Sequence, residues 1–271
     1  MNQFPAMVDF PSLPASIAEK YPAEQLRFRA FGTEKEDLAV DFSRTDLSVL
    51  VSQILGQCVV SRTGNLPEQF LGDLSVGKRL ECLLKLATGA ETTAFFIPFL
   101  CGSCGEQLEI ELTLGQMAEI QNRADQSEVV VIESAAGKFV FRKPLGRDQQ
   151  DWQKIVFEDE QTARRVIYSS LQISDGHLTD FDDETLQALE DAFDEADPLV
   201  NFNCLANCFE CGAATEVETD LLDFALGELR RSQWRLLYSV HRLASHYYWS
   251  ESEIFAVPHW RRQQYLSLIS D

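Results

Sequence analysis

The sequence predicts an α+β fold that is mainly helical, with a split four-cysteine zinc-ribbon-like β module and a C-terminal helical pair. Two CxxCG motifs, each followed by strand-like sequence, predict the β module. Apolar residues at three- and four-residue steps predict helices over much of the remaining chain. A capping box, Ser250 with Glu253, marks the start of the second C-terminal helix.

Composition limits the expected partners. The chain has 271 residues and a formal net charge of −20, from 43 acidic and 23 basic residues. This charge repels nucleic-acid backbones and anionic membranes, so we expect no direct nucleic-acid partner, whereas docking onto a basic protein surface stays open. The N-terminus has no signal-peptide pattern, and no stretch approaches the ~20 apolar residues of a membrane span. Seven cysteines without an export signal favour a reduced, cytoplasmic protein.

Composition and pattern divide the chain into five regions. These are an extended N-terminal arm (1–35), a helical region leading into the first zinc knuckle (36–115), an inserted α/β segment with an acidic helix (116–200), the second zinc knuckle (201–220) and a C-terminal helical module (221–271). The arm contains four prolines, and we expect no regular element in it.

Periodicity then predicts the elements in order. In the first half they are two core helices, one within 36–60 with Asp46 as a possible N-cap and one within 66–89 broken near Gly72-Asp73 and Gly77. Strands over 92–100 and 107–114 follow. In the second half they are a hairpin of 129–132 and 138–142, a helix over 148–171, an acidic helix within 175–197 and a long amphipathic helix from Leu221. Pro198 ends the acidic helix, and Pro258 breaks or restarts the last one before 260–269.

Charge is segregated along the chain. Six arginines and only two acidic residues lie between Arg230 and Tyr265, whereas 175–197 contains ten acidic residues and no lysine or arginine. Two interpretations have equal weight. Either the basic C-terminal region pairs internally with the acidic helix, or the protein presents two electrostatically different faces to partners.

Four cysteines form the most specific pattern in the sequence. Cys101 and Cys104 belong to one CxxCG motif, and Cys208 and Cys211 belong to the other. Each motif offers two thiolates from a tight turn, so the pair predicts a tetrahedral four-thiolate site for one structural Zn²⁺. The 103 residues between the motifs (105–207) exceed the ~15–20 usual in zinc ribbons. The extra loop-closure cost is about 1.5 kcal/mol, far below the roughly 10–16 kcal/mol of structural zinc binding.

Other interpretations of the cysteines stay open. The two motifs could be independent redox pairs, or a site that has lost its metal and keeps buried thiols or disulfides. Cys204 lies four residues before Cys208 and could replace a ligand, although no glycine follows it in a knuckle pattern. Cys58 and Cys82 lie on apolar helical faces and are expected in the core.

No convincing active site is found. The motifs GxSxG, HExxH, GxGxxG and the P-loop are absent from the sequence. A four-thiolate zinc site has no open position for water or substrate. We therefore expect no catalytic residues, no small-molecule substrate and no enzymatic activity.

The order of the motifs resembles a known family. It runs through LECLLKLATG, CGSCGEQLEIEL, PLGRDQQDW and DPLVNFNCLANCFECG to LLYSVHRLASHYYWSESEIFAVPHWRRQQYLSLI. This order is similar to baseplate proteins of contractile injection systems and myophages. Roughly 35–115 resembles T-even-type baseplate-hub assembly proteins, and roughly 220–270 resembles a module of phage-tail-like particles. The resemblance implies a non-enzymatic component that contacts other baseplate, hub or spike proteins, either as a structural part incorporated into the particle or as an assembly factor.

Arginine, tryptophan and tyrosine, which are enriched at binding hot spots, predict the contact surface on the C-terminal helices. The predicted interface residues are Trp234, Arg235, Tyr248, Trp260, Arg261, Arg262 and Tyr265. Tyr247 and Trp249 are more readily explained as core residues. The alternative function, from a different class, is a zinc-ribbon adaptor or regulator of the transcription or nucleic-acid machinery.

Overall fold

The computed structural model describes residues 7–21, 26–62, 66, 69–89, 94–134, 137–174 and 182–269. Parts of three predicted elements lie outside these residues. They are 135–136 of the predicted hairpin turn, the first two residues of the 92–100 strand, and the start of the acidic stretch (175–181). Within the described residues the protein is α+β and mainly helical, which confirms the predicted fold class.

Helices and small antiparallel sheets alternate along the chain. The strands are β1 (Val8–Asp9), β2 (Leu26–Phe28), β3 (Val59–Ser61), β4 (Ala94–Leu100), β5 (Gln107–Thr113), β6 (Val129–Ser134), β7 (Gly137–Arg142), β8 (Phe202–Asn207) and β9 (Ala214–Thr219). The α-helices are α1 (Ala15–Lys20), α2 (Leu47–Cys58), α3 (Phe70–Asp73), α4 (Val76–Thr88), α5 (Leu114–Ala124), α6 (Gly146–Trp152), α7 (Glu160–Leu171), α8 (Asp183–Ala196), α9 (Leu221–Tyr247), α10 (Glu251–Ala256) and α11 (His259–Leu268). A short 3₁₀ helix covers Lys35–Ala39.

The main core involves both ends of the chain. Strands β1, β2 and β3 form a three-stranded antiparallel sheet, and helices α2, α4, α5 and the first half of α9 pack around the same apolar cluster. Phe10, Tyr21 and Phe28 are buried in it. The prediction of an extended arm without regular elements is therefore wrong for the described residues, because these aromatic side chains draw the segment into the core.

Residues 129–196 have a core of their own. The hairpin β6–β7 packs against α7 and α8 through Val130, Ile132, Phe139, Phe141, Leu171, Leu186 and Leu189. The predicted single helix over 148–171 is two helices, α6 and α7, and Val156 in the segment between them is almost fully exposed. The acidic helix forms as predicted and ends at Ala196, since Pro198 disfavours helical backbone at Asp197.

Two polar contacts fix this second core to the first. The backbone N–H of Gly77 in α4 donates to the buried carboxylate of Asp197 at 3.0 Å. The ammonium of Lys143 donates to the backbone carbonyls of Ala124 and Ala196, each at 2.6 Å. Gly77, where the sequence predicted a helix break, lies inside the first turn of α4.

The C-terminal helices form a third cluster. Helix α9 has 27 residues and spans about 40 Å. Its second half packs on α10 and α11 through Leu236, Val240, Leu243 and Ile254, with Tyr247 and Trp249 partly buried beside them. The predicted capping box is present, since Ser250 Oγ accepts from the Glu253 N–H and the Glu253 carboxylate accepts from the Ser250 N–H. Pro258 is the N-cap of α11, as a restarted helix requires.

Candidate metal centre

Two β-hairpins carry the four cysteines. Hairpin β4–β5 ends with the pair Leu100 and Gln107, and hairpin β8–β9 ends with the pair Asn207 and Ala214. The loop between each pair of strands is a six-residue knuckle, 101–106 or 208–213. We call the two hairpins with their knuckles, residues 94–113 and 202–219, the four-cysteine module.

The two knuckles have the same backbone geometry. In the first, the Cys101 N–H donates to the Glu106 carbonyl and the Gly105 N–H donates to the Cys101 carbonyl, both at 2.9 Å. The second repeats these bonds from Cys208 to Ala213 at 2.9 Å and from Gly212 to Cys208 at 2.8 Å. Equivalent residues at equal spacing therefore fold into the same loop twice.

Glycine is required at the fifth knuckle position for its backbone angle. Gly105 and Gly212 both have φ of 73°, in the left-handed region where a Cβ atom is unfavourable. A Cβ at either site would meet no atom within 4 Å, so space is not the reason for glycine. Both knuckles therefore have glycine at this position because the turn that carries the chain back beneath the two sulfur atoms requires a left-handed backbone.

The four sulfur atoms form one cluster. All Sγ atoms of Cys101, Cys104, Cys208 and Cys211 lie within 4.8 Å of one another. Two contacts join the knuckles, Cys101 to Cys211 and Cys104 to Cys208, each with an Sγ–Sγ distance of 3.7 Å. A tetrahedral metal with bonds of ~2.3 Å to sulfur places its ligands ~3.8 Å apart, whereas a disulfide requires ~2.05 Å. The arrangement therefore fits a four-coordinate metal ion, and all four cysteines are free thiols.

The surroundings favour thiolate on one side of the cluster. The backbone N–H groups of Cys104 and Ser103 lower the pKa of the Cys101 thiol to about 6. Thr215 Oγ1 contributes a further contact to the Cys101 sulfur at 3.7 Å. Since the thiolate is the form that ligates metals, these donors prepare Cys101 for binding.

The cluster has a buried side and an exposed side. Cys101 and Cys208 are buried with Leu108, against Phe99 and Ala213, in a small apolar cluster of their own. Cys104 and Cys211 are exposed. A metal ion here would join the tips of the two hairpins, whose other ends contribute Phe95, Leu112 and Phe202 to the main core.

The remaining cysteines lie apart from the cluster. Cys204 lies in the middle of β8, and its thiol points to the Val217 carbonyl at 3.9 Å. Cys58 and Cys82 are fully buried in the main core, where burial raises the pKa of the Cys58 thiol to about 12 and that of the Cys82 thiol further still. Both were expected in the core, and the structure also excludes Cys204 from the ligand set.

The predicted interface residues separate into two groups. Trp234, Arg235, Tyr248, Trp260 and Arg261 are exposed on the C-terminal helices, and Tyr265 is half-buried. Arg262 requires a correction, because it is 3% exposed and donates to the Thr33 carbonyl at 2.5 Å. Its guanidinium is therefore an internal group.

The predicted pairing of basic and acidic regions is not observed. Arg230 donates to the Phe42 carbonyl, and Arg231 forms an ion pair with Glu228 on its own helix. Within the ranges that the structure covers, no ion pair joins an arginine of 230–265 to α8. Helix α8 instead packs on β6 in the second core.

The four-cysteine module has an exposed apolar surface that was not predicted from the sequence. Phe96, Leu100, Leu205 and Phe209 are all more than half exposed, and Leu205 reaches 76%. They share the module with six glutamates, and no lysine or arginine occurs in 94–113 or 202–219. Strand alternation could have indicated this surface, because Phe96, Pro98 and Leu100 occupy the face opposite the buried Phe95.

Comparisons of the chain with models of known protein families, with curated proteins and with solved structures found no match. In the described part of the chain, no helix combines the length and the apolar character needed to cross a membrane.

Proposed function

We propose that the protein is a non-enzymatic structural or assembly component of the baseplate of a contractile injection particle, and that its four cysteines hold one structural Zn²⁺. The baseplate assignment rests on the motif order of the sequence. Exposed apolar and aromatic side chains on helices and strands support a role in contacts with other proteins. This exposed surface is the observation that carries the proposal.

The ligand set supports zinc with a structural role. Four cysteines in paired CxxC knuckles are a common ligand set of structural zinc sites, and a fourth protein ligand leaves no coordination position for water. The metal would supply coordination bonds that fix one hairpin against the other. The protein itself fixes two of the ligands, because Cys101 and Cys208 are buried.

Two surfaces support contacts with partner proteins. On the four-cysteine module, Leu205 and Phe209 project from acidic surroundings. On the C-terminal helices, Trp234 and Tyr248 are exposed among arginines, and Tyr248 is 91% exposed. Large exposed apolar side chains on ordered elements are typical of protein–protein contact sites. In the proposal, the partners at these surfaces are other baseplate, hub or spike proteins.

Co-purification tests the proposal. The tagged full chain is produced together with the tube-initiator, spike and wedge proteins of a contractile particle, and we expect at least one of them to be recovered with it. Arg261→Glu, which reverses an exposed charge, is expected to reduce that recovery several-fold without changing thermal stability. Lys154→Glu is the matched control, because Lys154 is exposed and pairs only with Asp151 in the structure as described.

Two outcomes would count against the proposal. One is failure to recover any of these proteins with the wild-type chain. The other is normal assembly of contractile particles in a strain that lacks the protein. Salt-dependent retardation of DNA or RNA by the purified chain would instead favour the nucleic-acid adaptor.

A further inference from the structure

A small cavity in the C-terminal region is lined by cationic groups. It has a volume of about 80 Å³ and lies between α9, α11 and Gly32. Its polar lining residues are Arg235, Ser239, His259, Arg262 and Gln263, and its apolar ones are Leu236, Val240, Leu243, Ile254 and Leu266. No aspartate or glutamate belongs to this lining. In a protein of net charge −20 this is an unusual concentration of positive charge.

Arg262 is the buried cation of this cavity. One Nη of its guanidinium donates to the Thr33 carbonyl, and the group lies over the Phe255 ring at 4.7 Å from the ring centre. Its Nε has no hydrogen-bond partner in the structure as described. Glu34 attracts this guanidinium, but among the described residues the two groups form neither an ion pair nor a hydrogen bond. A buried guanidinium with an unused donor and no directly paired carboxylate is costly, and a bound anion would reduce that cost.

The buried Lys143 meets this cost with two backbone carbonyls, whereas two other cations, Arg29 and Lys78, have carboxylate partners. Arg29 pairs with the fully buried Asp37 at 2.7 Å. Lys78 pairs with Glu81 at 2.5 Å and with Asp125 at 2.6 Å. Arg29 and Lys78 therefore each have a carboxylate of their own chain as counter-ion, whereas Arg262 has a backbone carbonyl and an aromatic ring.

Arg79 is the closest internal comparison. It is also buried without a carboxylate and has an unpartnered Nη1. That nitrogen, however, lies against Gly146, where a Cβ would approach it to 1.6 Å. Its other Nη is bonded to the Ser48 carbonyl and the Ser52 hydroxyl. Arg79 is therefore enclosed by protein, whereas Arg262 borders a space.

The cavity has the size and access that a small anion needs. A water molecule needs about 10–15 Å³ of such space, so 80 Å³ holds several waters or one small oxyanion. Arg235 and Gln263 at the cavity are exposed, which leaves a route from solvent. His259 has its pKa lowered by burial and by the charge of Arg262, so it stays neutral near pH 7 and can donate or accept a hydrogen bond.

We propose that this space, the Arg262 cavity, binds one small oxyanion, with Arg262 at its buried end and Arg235 at its exposed end. The shared chemistry is that of a carboxylate, phosphate or sulfate group, to which guanidinium offers paired N–H donors. The source is either a free inorganic ion or the carboxylate of an acidic residue in a partner protein. The site is independent of the metal centre and of the baseplate proposal.

Thermal unfolding of the full chain, with its metal bound, tests the proposal. Inorganic phosphate and acetate are titrated separately at constant ionic strength against chloride. We expect a saturable rise in Tm with phosphate, because a ligand that binds only the folded state stabilises it in proportion to the logarithm of its concentration. A rise with acetate as well would identify a carboxylate as an acceptable ligand, and a rise with phosphate alone would identify a free phosphate ion.

Arg235→Met is the decisive variant, since Arg235 is exposed and bonds only to Ser232 on its own helix among the residues described. We expect this substitution to weaken the affinity for phosphate by at least about tenfold, which is the effect of losing a single charged hydrogen bond. Arg231→Met is the matched control, one turn earlier on the same helix and paired with Glu228. Equal responses of the two variants, or no saturable rise in the wild type, would overturn the proposal.

A local measurement complements the variants. The imidazole of His259 can be followed by NMR and assigned with His259→Gln. Bound oxyanion offsets the charge of Arg262, so we expect the pKa of His259 to rise when phosphate is added and to stay unchanged in Arg235→Met. A pKa that does not respond to phosphate in the wild type would contradict binding in this cavity.

Discussion

Replacement of Gly77 by alanine is expected to weaken the joint between the two larger cores. Gly77 lies in the first turn of α4, and its N–H donates to Asp197 Oδ2 at 3.0 Å. A Cβ at this position would lie 1.8 Å from Asp197 Oδ1 and 2.7 Å from Gln121 Oε1. Neither distance is possible for a real carbon atom, so the carboxylate must move.

The free energy of unfolding should fall by about 1.5–5 kcal/mol. Overpacking of this kind costs roughly 1–3 kcal/mol, and a hydrogen bond to a charged group is worth about 1.5–3 kcal/mol. The better helix propensity of alanine offsets about 1 kcal/mol of this loss in the free energy of unfolding. Asp197 cannot relax freely, because it is buried and its backbone is fixed by bonds to Phe193 and Val200.

Gly227→Ala is the matched control for this substitution. Gly227 lies within α9, and a Cβ there would meet no atom within 4 Å. The change should therefore raise stability by about 0.5–1 kcal/mol, through helix propensity alone. Urea unfolding of the wild type and both variants measures the two effects. The reasoning is refuted if Gly77→Ala is as stable as the wild type, or if both variants shift in the same direction.

Two further predictions concern the metal centre and the hairpin β6–β7. Cys208→Ser should reduce bound zinc from one ion per chain to near zero by elemental analysis, whereas Cys204→Ser, outside the cluster, should keep it. Asp148→Asn should lower the free energy of unfolding by about 1.5–3 kcal/mol at pH 7, because the Asp148 carboxylate accepts two hydrogen bonds from Arg142 and one from the Leu145 N–H. Burial alone would raise the pKa of Asp148, but these donors hold the pKa below its usual value. The difference in the free energy of unfolding between wild type and Asp148→Asn should therefore persist above about pH 4 and vanish at lower pH.

Results that would contradict these predictions are equally specific. Retention of zinc in Cys208→Ser would show that three thiolates and another ligand suffice. For Asp148→Asn, equal stability of variant and wild type at pH 7, or a difference that grows as the pH falls, would exclude a carboxylate with a lowered pKa.

The sequence was most informative where the chemistry is local. Each knuckle contains its ligands and its left-handed glycine within five residues, so the loop geometry follows from Cys101 to Gly105 alone. The association of the two knuckles could be expected because each supplies only half of a tetrahedral site. The capping box at Ser250 and the proline at 258 were equally local and are confirmed.

Features that depend on distant partners were not predictable. Strands β1 and β2 have two and three residues, which is too short for a periodic pattern, and they form because β2 pairs with the distant β3 and β1 pairs with β2. Arg262 was assigned to a contact surface because arginine is enriched at binding hot spots, but its bond to the distant Thr33 carbonyl could not be predicted from the C-terminal sequence. Helix α5 was missed, although Thr113 and Gln116 form a capping box at its start that the alternation of 107–114 obscured.

The structure also changes the role expected for the metal. From sequence, zinc was expected to pin the start of the long segment between the two cysteine pairs to its end. Gly77 and Asp197 join α4 to the end of α8, and Lys143 joins β7 to the ends of α5 and α8. These contacts hold the second core without help from the cysteines. A metal held by the four cysteines would then chiefly fix the tips of the two hairpins against each other, and so the direction in which Leu205 and Phe209 project.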